Sequence, residues 1–316
     1  ELRDLASGLA NYRLAAIDQT GLISLHPLTR EYFYGQLSAD EASVVALHLG
    51  LRNFFEEIAP PVVEFPSLEE LTPHIEAVHS SSMAGDYETG YRIYIDSIDQ
   101  GRGVLAYQLG AYETDLALVL EFFPDGDASC DPILSEAAAR EYLVRSVALA
   151  YLTLGRLFEA YPMTQRSEQL AAQAEDWLSA SKASQLLAEL HIHLGQFQQA
   201  VAAAQSAYDY ASRVNREDER KWEQVCSLAY EAWAWHLIGE DAHAGSKFDA
   251  AELLQRSREA APPHIKGFWA IYYADYLLRT GNRAKCQEVL SFTVESNRVD
   301  KLPEVLSECE RARGDV

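Results

Sequence analysis

One spacing of small residues recurs four times in the second half of the chain and constrains its fold more than any other feature. A small residue is followed after seven positions by glycine, and after five more by a second small residue. Successive glycines lie 40, 44 and 42 residues apart. A fixed period of this length predicts stacked two-helix units. The four copies are Ala148/Gly155/Ala160, Ala188/Gly195/Ala200, Ala232/Gly239/Ala244 and Ala274/Gly281/Cys286.

The physical basis of the frame is close helix packing around a tight turn. The small residues let two antiparallel helices approach, and the glycine ends the first helix in a left-handed conformation. The second-helix pairs Ala200/Ala204, Ala244/Phe248 and Cys286/Leu290 follow a small-x3-large-or-small pattern. In these respects the frame resembles the tetratricopeptide repeat (TPR), whose usual period is about 34 residues. Glu231 departs from that pattern, because an apolar residue is expected there.

The resemblance implies an all-α fold, a right-handed superhelical solenoid of TPR-like hairpins with a period of about 40 residues. The chain is expected to have four segments: 1–38, a non-repeat N-terminal part, whose resemblance is given below; 39–66, a linker helix; 67–134, irregular first repeats; and 135–316, regular repeats with a closing helix from Leu302 to Arg313. Gly85 is predicted at the turn of a first, degenerate repeat. A single long helix is predicted over Val104–Phe123, and Pro162 is expected to kink a helix or to mark its start near Tyr161.

The charge of the chain limits its partners. A formal net charge of −22 excludes nucleic acid and anionic membranes as expected partners, and favours a cationic or apolar one. The four cysteines form no CxxC pair, so we expect free thiols in a reducing cytoplasm. No signal peptide or membrane span is evident. We expect no metal site, because His191 and His193 are two residues apart and face different sides of a helix.

The N-terminal string LHPLTREYF (residues 25–33) resembles the end of the winged-helix domain in NB-ARC or STAND nucleotide switches. On that resemblance His26 matches the histidine that senses the β-phosphate of a bound nucleotide, although Leu25 and Pro27 depart from the family motif. No Gly-x4-Gly-Lys-Ser/Thr occurs, so we expect the chain to be a fragment that contains no cofactor, with ATP or ADP held by a missing ATPase module.

In TPR arrays the first helix of each unit lines the concave face, which predicts a binding groove here. Aromatic residues and arginine are typical anchors of binding. Tyr142, Leu149 and Phe268 share the inward-facing register. The residues predicted to contact a ligand or partner are Arg145, Gln185, Glu189, His193, Tyr230, Trp233, His236, Tyr272, Asp275 and Arg279.

The resemblance to the repeat region of a bacterial STAND NTPase implies a ligand-sensing and autoinhibitory role, with defence signalling as one process that it serves. The expected partners are a protein, peptide or small-molecule trigger and the protein's own ATPase module, with oligomers forming only on activation. We predict no enzymatic activity for this chain, because no Gly-x-Ser-x-Gly or cysteine-nucleophile signature occurs. Two alternatives remain: the ligand-binding repeat domain of a transcriptional activator, and a passive TPR adaptor.

Overall fold

Antiparallel helices in series follow a small two-stranded sheet. The computed structural model describes residues 8–10, 12, 14–17, 23–37, 40–258, 263–300 and 311. The elements before the regular repeats are β1 (Ala15–Ile17), β2 (Ile23–Leu25), α1 (Pro27–Leu37), α2 (Glu41–Ile58), α3 (Leu68–Met83), α4 (Tyr87–Ile93) and α5 (Tyr112–Leu120). The regular repeats comprise α6 (Ala137–Thr153), α7 (Leu157–Gln173), α8 (Trp177–His193), α9 (Phe197–Ala211), α10 (Glu217–Ile238), α11 (Asp241–Arg256), α12 (Phe268–Arg279) and α13 (Arg283–Asp300).

The predicted frame is confirmed at the four hairpin turns. Gly155, Gly195, Gly239 and Gly281 separate α6 from α7, α8 from α9, α10 from α11 and α12 from α13. Their φ angles are 73°, 70°, 93° and 85°, in the left-handed region that costs other residues energy. No atom lies within 4 Å of a β-carbon built at any of these glycines, so conformation rather than crowding selects glycine here. The fold is an all-α solenoid of TPR-like hairpins.

The small residues of the frame lie where helices meet. Each of the eight exposes at most 1% of its surface to solvent: Ala148, Ala160, Ala188, Ala200, Ala232, Ala244, Ala274 and Cys286. Larger apolar side chains such as Leu143, Leu190 and Phe248 fill the space around them. A larger residue at a frame position would force the two backbones apart, because protein interiors are close-packed.

The acidic departure from the frame, Glu231, is buried and compensated. Only 3% of its surface is exposed. Its Oε2 lies 3.0 Å from Lys247 Nζ on α11, and its Oε1 accepts a hydrogen bond from Gln205 Nε2 at 2.9 Å. The carboxylate therefore joins α9, α10 and α11 through polar contacts, where the other repeats use apolar ones.

The start of the chain contains a strand pair followed by a helix that begins at Pro27. β1 and β2 pair antiparallel, with Ala15 opposite Leu25. The winged-helix assignment and the segment boundaries remain predictions. Ser67 and Glu70 form the capping box that starts α3, and Gly85 lies at the turn between α3 and α4 with φ of 73°.

The single helix predicted over Val104–Phe123 is wrong. A π-helical segment at Val104–Gln108 ends at a left-handed Gly110, and α5 begins only at Tyr112. A second π-helical segment, Tyr94–Asp99, extends α4. These π-helical segments place Tyr94, Val104 and Leu105 in the core. The spacing of apolar residues in the sequence does not reveal such an irregular backbone.

Two further expectations concern helix ends. Pro162 lies inside α7, which begins at Leu157, so the predicted start near Tyr161 is wrong. Of the predicted closing helix, only Arg311 belongs to the described residues. None of the helices in the described ranges combines the length and apolarity needed to cross a membrane.

The buried pair of Glu231 and Lys247 supports a test of stability. Lys247→Met leaves the Glu231 carboxylate buried without a cation, and we expect the free energy of unfolding to fall by about 2–3 kcal/mol. The double variant Glu231→Leu/Lys247→Met should recover most of that loss, because it restores the apolar contact used in the other repeats. Urea denaturation measures both. Equal stability of the wild type and Lys247→Met would show that the pair does not contribute.

Candidate ligand-binding site

The first helices of the regular hairpins surround one cavity. Helices α6, α8, α10 and α12 contact one another in series. Between them lies a cavity of about 330 Å³, which we call the inner cavity. It brings together four of the predicted binding residues, Arg145, Gln185, Glu189 and Tyr230. Small-molecule sites in proteins begin at about this size.

Four carboxylates line the inner cavity, and each accepts a hydrogen bond from a neutral side chain. Tyr142 donates to Asp99 Oδ2 at 2.5 Å, and the buried Tyr94 donates to Asp115 Oδ1 at 2.9 Å. Tyr230 donates to Glu189 Oε2 at 2.7 Å. Gln185 Nε2 donates to Glu223 Oε2 at 2.8 Å. These bonds fix the orientation of the carboxylates without cancelling their charge.

Arg145 of α6 lines the same cavity, but its charge is paired with a carboxylate outside the cavity lining. Its Nε lies 3.1 Å from Glu141 Oε1 one turn earlier, and that oxygen also accepts a hydrogen bond from Ser167 at 2.7 Å. The guanidinium carbon lies 5.1 Å from the centre of the Tyr142 ring. Burial opposes the charge of Arg145, but Glu141 and Tyr142 raise the pKa of the guanidinium above its usual value. Arg145 is therefore a fixed cation, already paired with a carboxylate.

Burial raises the pKa of three carboxyl groups that line the inner cavity. These groups are Asp99, Asp115 and Glu223, and burial is the largest influence on the pKa of each. The pKa of Asp115 rises to about 6, with a further contribution from the nearby charge of Asp99 and an opposing one from the Tyr94 hydroxyl. The folded chain thus keeps negative charge in the cavity at neutral pH at a cost in stability.

The irregular segment from Tyr94 to Gln108, of which only the end belongs to the predicted helix, forms one wall of the cavity. Asp99, Arg102 and Tyr107 belong to it, and all three line the inner cavity. The backbone between the two π-helical segments turns through three left-handed residues, Gln100, Gly101 and Gly103. Sequence reasoning missed these residues; the close glycines of the string DQGRGV were the available signal. Of the regular-repeat lining, it also missed Lys182, Trp222, Glu223 and Cys226.

Four other predicted residues meet at a second cavity, farther along the array. Trp233, Tyr272, Asp275 and Arg279 line this space of about 380 Å³. The rings of Trp233 and Tyr272 stack at 5.1 Å with an interplanar angle of 13°. Arg279 Nε lies 2.9 Å from Asp275 Oδ2 on the same helix. The residues of the single predicted groove therefore lie in two cavities, and the Tyr230 ring, which lines the inner one, contacts the Tyr272 ring, which lines the other.

The predicted histidines occupy other places. His193 is exposed, with its Nε2 at 3.9 Å from Glu189 Oε1. His236 is buried, and its Nδ1 lies 2.6 Å from Asp241 Oδ1 across the hairpin turn. His26 is exposed, and its Nδ1 accepts the backbone N–H of Leu28 at 3.3 Å at the start of α1. The binding role of the first two and the nucleotide-sensing role of His26 stay predictions.

The inner cavity contains one buried thiol among its described lining residues. This thiol belongs to Cys226, and burial raises the pKa of that thiol well above its usual value, which makes it a poor nucleophile. Cys130, Cys226 and Cys286 are free, as expected. Within the described ranges, no three His, Cys, Asp or Glu side chains are arranged to hold a metal ion.

Known proteins resemble this chain only at a distance. No protein-family model matches it, and no curated protein does. It is similar to a solved structure of nearly identical TPR-like repeats from a Podosopora anserina protein described as a kinesin light chain. Identity is 16%, coverage is 72% of this chain and 96% of that one, and the TM-score is 0.41. BtubC (BKLC) of P. vanneervenii is 10% identical over 87% of this chain and 91% of its own, with a TM-score of 0.42.

Asp115 gives a prediction for the dependence of stability on pH. Its pKa of about 6 in the folded chain lies above that of an unfolded aspartate, so the folded state binds the extra proton between these values. The contribution of Asp115 to the free energy of unfolding therefore falls as pH rises through that window. Asp115→Asn should be more stable than the wild type, with its advantage growing by about 1 kcal/mol between pH 5 and pH 8.

Urea denaturation at several pH values measures this difference. The control is Asp209→Asn, which removes an exposed aspartate of α9 and should leave the pH dependence unchanged. A constant difference between Asp115→Asn and the wild type at all pH values would contradict the prediction.

Proposed function

We propose that this chain is the ligand-sensing repeat region of a larger signalling protein, and that its trigger binds in the inner cavity. The observation that carries the proposal is the construction of that cavity from the first helices of four consecutive hairpins. In a solenoid each hairpin contacts only its neighbours, so the angle between hairpins is the soft degree of freedom. A ligand held by several first helices favours one arrangement of them over others.

The wall of the cavity also contacts the segment that leads to the N-terminal part. Gln100 Nε2 donates to the carbonyl of Val63 at 3.1 Å, and Arg102 Nη2 donates to that of Glu64 at 2.8 Å. Arg102 also lies 3.5 Å from the Glu64 carboxylate. Both acceptors belong to the proline-rich stretch between α2 and α3. A ligand that shifts this wall can therefore alter the linker, which supports a signalling role over passive docking.

The nature of the larger protein comes from the resemblance of residues 25–33 to STAND NTPases. On that basis the chain keeps an ATPase module inactive until the trigger binds, and nucleotide exchange and oligomerisation follow. A cavity of about 330 Å³ suits a small molecule or one side chain of a protein trigger. A coupling of about 1–3 kcal/mol between the trigger site and the module suffices for regulation.

The STAND assignment has a direct genetic test. The reading frame upstream of Glu1 should encode a strand followed by Gly-x4-Gly-Lys-Ser/Thr and a helix, because that loop binds the nucleotide phosphates. Sequencing the gene in its native locus measures this. An upstream frame with a basic helix-turn-helix and no P-loop would instead favour the transcriptional-activator alternative.

The inner cavity has a blocking test. Ser146 lines it, and its hydroxyl bonds only the local carbonyl of Tyr142 among the described residues. Ser146→Phe should fill the space and abolish binding with little change in fold. Saturation-transfer NMR of the full chain against a panel of small amines, amino acids, sugars and dicarboxylates provides the measurement. At least one class should bind the wild type and fail to bind Ser146→Phe.

Thr153→Phe is the matched control for the blocking test. Thr153 lies on the same helix and makes the same type of bond, to the carbonyl of Leu149, but it is exposed and outside the cavity. It should bind the panel as the wild type does. Circular dichroism melting checks that each variant folds, and Leu149→Trp blocks the cavity from a second position. The proposal fails if no panel member binds the wild type, or if binding survives in the folded blocked variants.

A further inference from the structure

The charges around the inner cavity do not balance. Asp99, Asp115, Glu189 and Glu223 line it, and each accepts hydrogen bonds from tyrosine, glutamine or backbone groups, which are neutral. A neutral donor satisfies an oxygen lone pair but leaves the negative charge in place. Buried charges in proteins are normally paired, because an unpaired one costs several kcal/mol.

The cations of the lining do not supply the missing charge. Arg145 is neutralised by Glu141, which lies behind the cavity wall, and Arg102 by Glu64 at the linker. Lys182 is exposed, and it lies near enough to Glu223 to oppose the effect of burial on the pKa of that carboxyl without cancelling it. His193 approaches Glu189 only at 3.9 Å and from the solvent side. Arg145 also attracts Asp99, but that attraction does not offset the effect of burial on the pKa of this carboxyl. Among the described residues, no cation is paired with Asp115.

Aromatic rings form another part of the lining. The rings of Trp222 and Trp269 meet edge to face at 5.3 Å, and Tyr230 meets Trp269 in the same way at 6.2 Å. All three line the inner cavity. Indole and phenol faces attract cations through their quadrupole and pack against alkyl chains. These rings lie beside the carboxylates, because Tyr230 donates to Glu189 and Trp222 precedes Glu223 in the chain. Their apolar surface suits an organic ligand, although Arg258 already lies over the Trp222 ring at 4.9 Å.

A metal ion does not fit this arrangement. Magnesium and calcium need several oxygen ligands within about 2–2.6 Å of one point. Within the described ranges no three acidic, histidine or cysteine side chains converge in that way. The carboxylates instead surround a space large enough for a small organic molecule.

We propose that the inner cavity binds an organic cation, an alkylammonium or guanidinium group, with its charge among Asp99, Asp115 and Glu223 and its alkyl part against Trp222 and Trp269. This inference rests on the proposed ligand-sensing function and adds the chemical class of the trigger. The cation is either a free amine or the side chain of a lysine or arginine in a protein trigger. Both sources present the same chemistry to the cavity.

Isothermal titration calorimetry of the full chain at physiological ionic strength tests the chemical class. The probes are putrescine, spermidine, arginine amide and the peptide acetyl-Gly-Lys-Gly-amide. The uncharged 1,4-butanediol matches putrescine in length, and succinate supplies the opposite charge. We expect at least one cationic probe to bind, and the diol and succinate not to bind. Tighter binding of the free amines identifies a small-molecule trigger, and tighter binding of the peptide identifies a protein side chain.

Isosteric variants separate the cavity from general attraction to an acidic protein. Asp115→Asn and Glu223→Gln keep acceptors for Tyr94 and Gln185 but remove charge, and each should weaken cation binding about tenfold or more. Glu159→Gln removes an exposed charge of α7 outside the cavity and should leave binding unchanged. Equal cation binding by all three variants would overturn the proposal, because it would indicate diffuse attraction.

The test distinguishes this proposal from the function on which it rests. If a neutral or anionic probe binds the wild type and Ser146→Phe blocks it, the cation class is wrong and the ligand-sensing function stands. If no cationic probe binds the wild type, the cation class is likewise wrong. If no probe of any charge binds, both proposals fail.

Discussion

The close approach of paired helices at their small residues is the constraint on which the rest of the structure depends. At Ala188 and Ala200, and at the equivalent pair in each regular hairpin, the side chains are almost completely buried. This contact sets the separation of the two helices, and the left-handed glycine between them sets the turn. Because the helix contact and the glycine turn recur at nearly constant spacing, the first helices of successive hairpins lie side by side. The inner cavity exists because those helices are aligned.

The inner cavity differs in character from the hairpin interfaces. Small apolar residues line the hairpin interfaces, whereas the cavity is lined by carboxylates whose charge is only partly compensated. Such an arrangement lowers the stability of the ligand-free chain, as the raised pKa of Asp115 indicates. Proteins retain unfavourable electrostatics mainly at sites of function. The contrast with Glu231, which is equally buried but has Lys247 beside it, shows that this chain can pair a buried carboxylate where structure alone requires it.

Part of the site followed from register along the repeats. Counting from the turn glycines placed Arg145, Gln185, Glu189 and Tyr230 on a common face, and these residues do meet in one cavity. The repeat register could not predict the part of the cavity that lies outside the four first helices. The segment around Asp99 and Arg102 contains two π-helical segments and three left-handed residues, Gln100, Gly101 and Gly103, and neither feature has a simple sequence period. Nor could register foresee that the residues of the expected groove lie in two cavities.

The sequence by itself determined the hairpin array, because turn conformation and helix separation depend on residues close in the chain. It also determined the excess of negative charge, which is a property of composition. Only the tertiary structure decided where that charge is buried and which partners it has. The pairing of Arg145 with Glu141 is local, but Asp99 with Tyr142 and Gln185 with Glu223 join residues 43 and 38 positions apart. Such contacts depend on how successive hairpins stack, and the burial that results raises the pKa of Asp99 and Glu223.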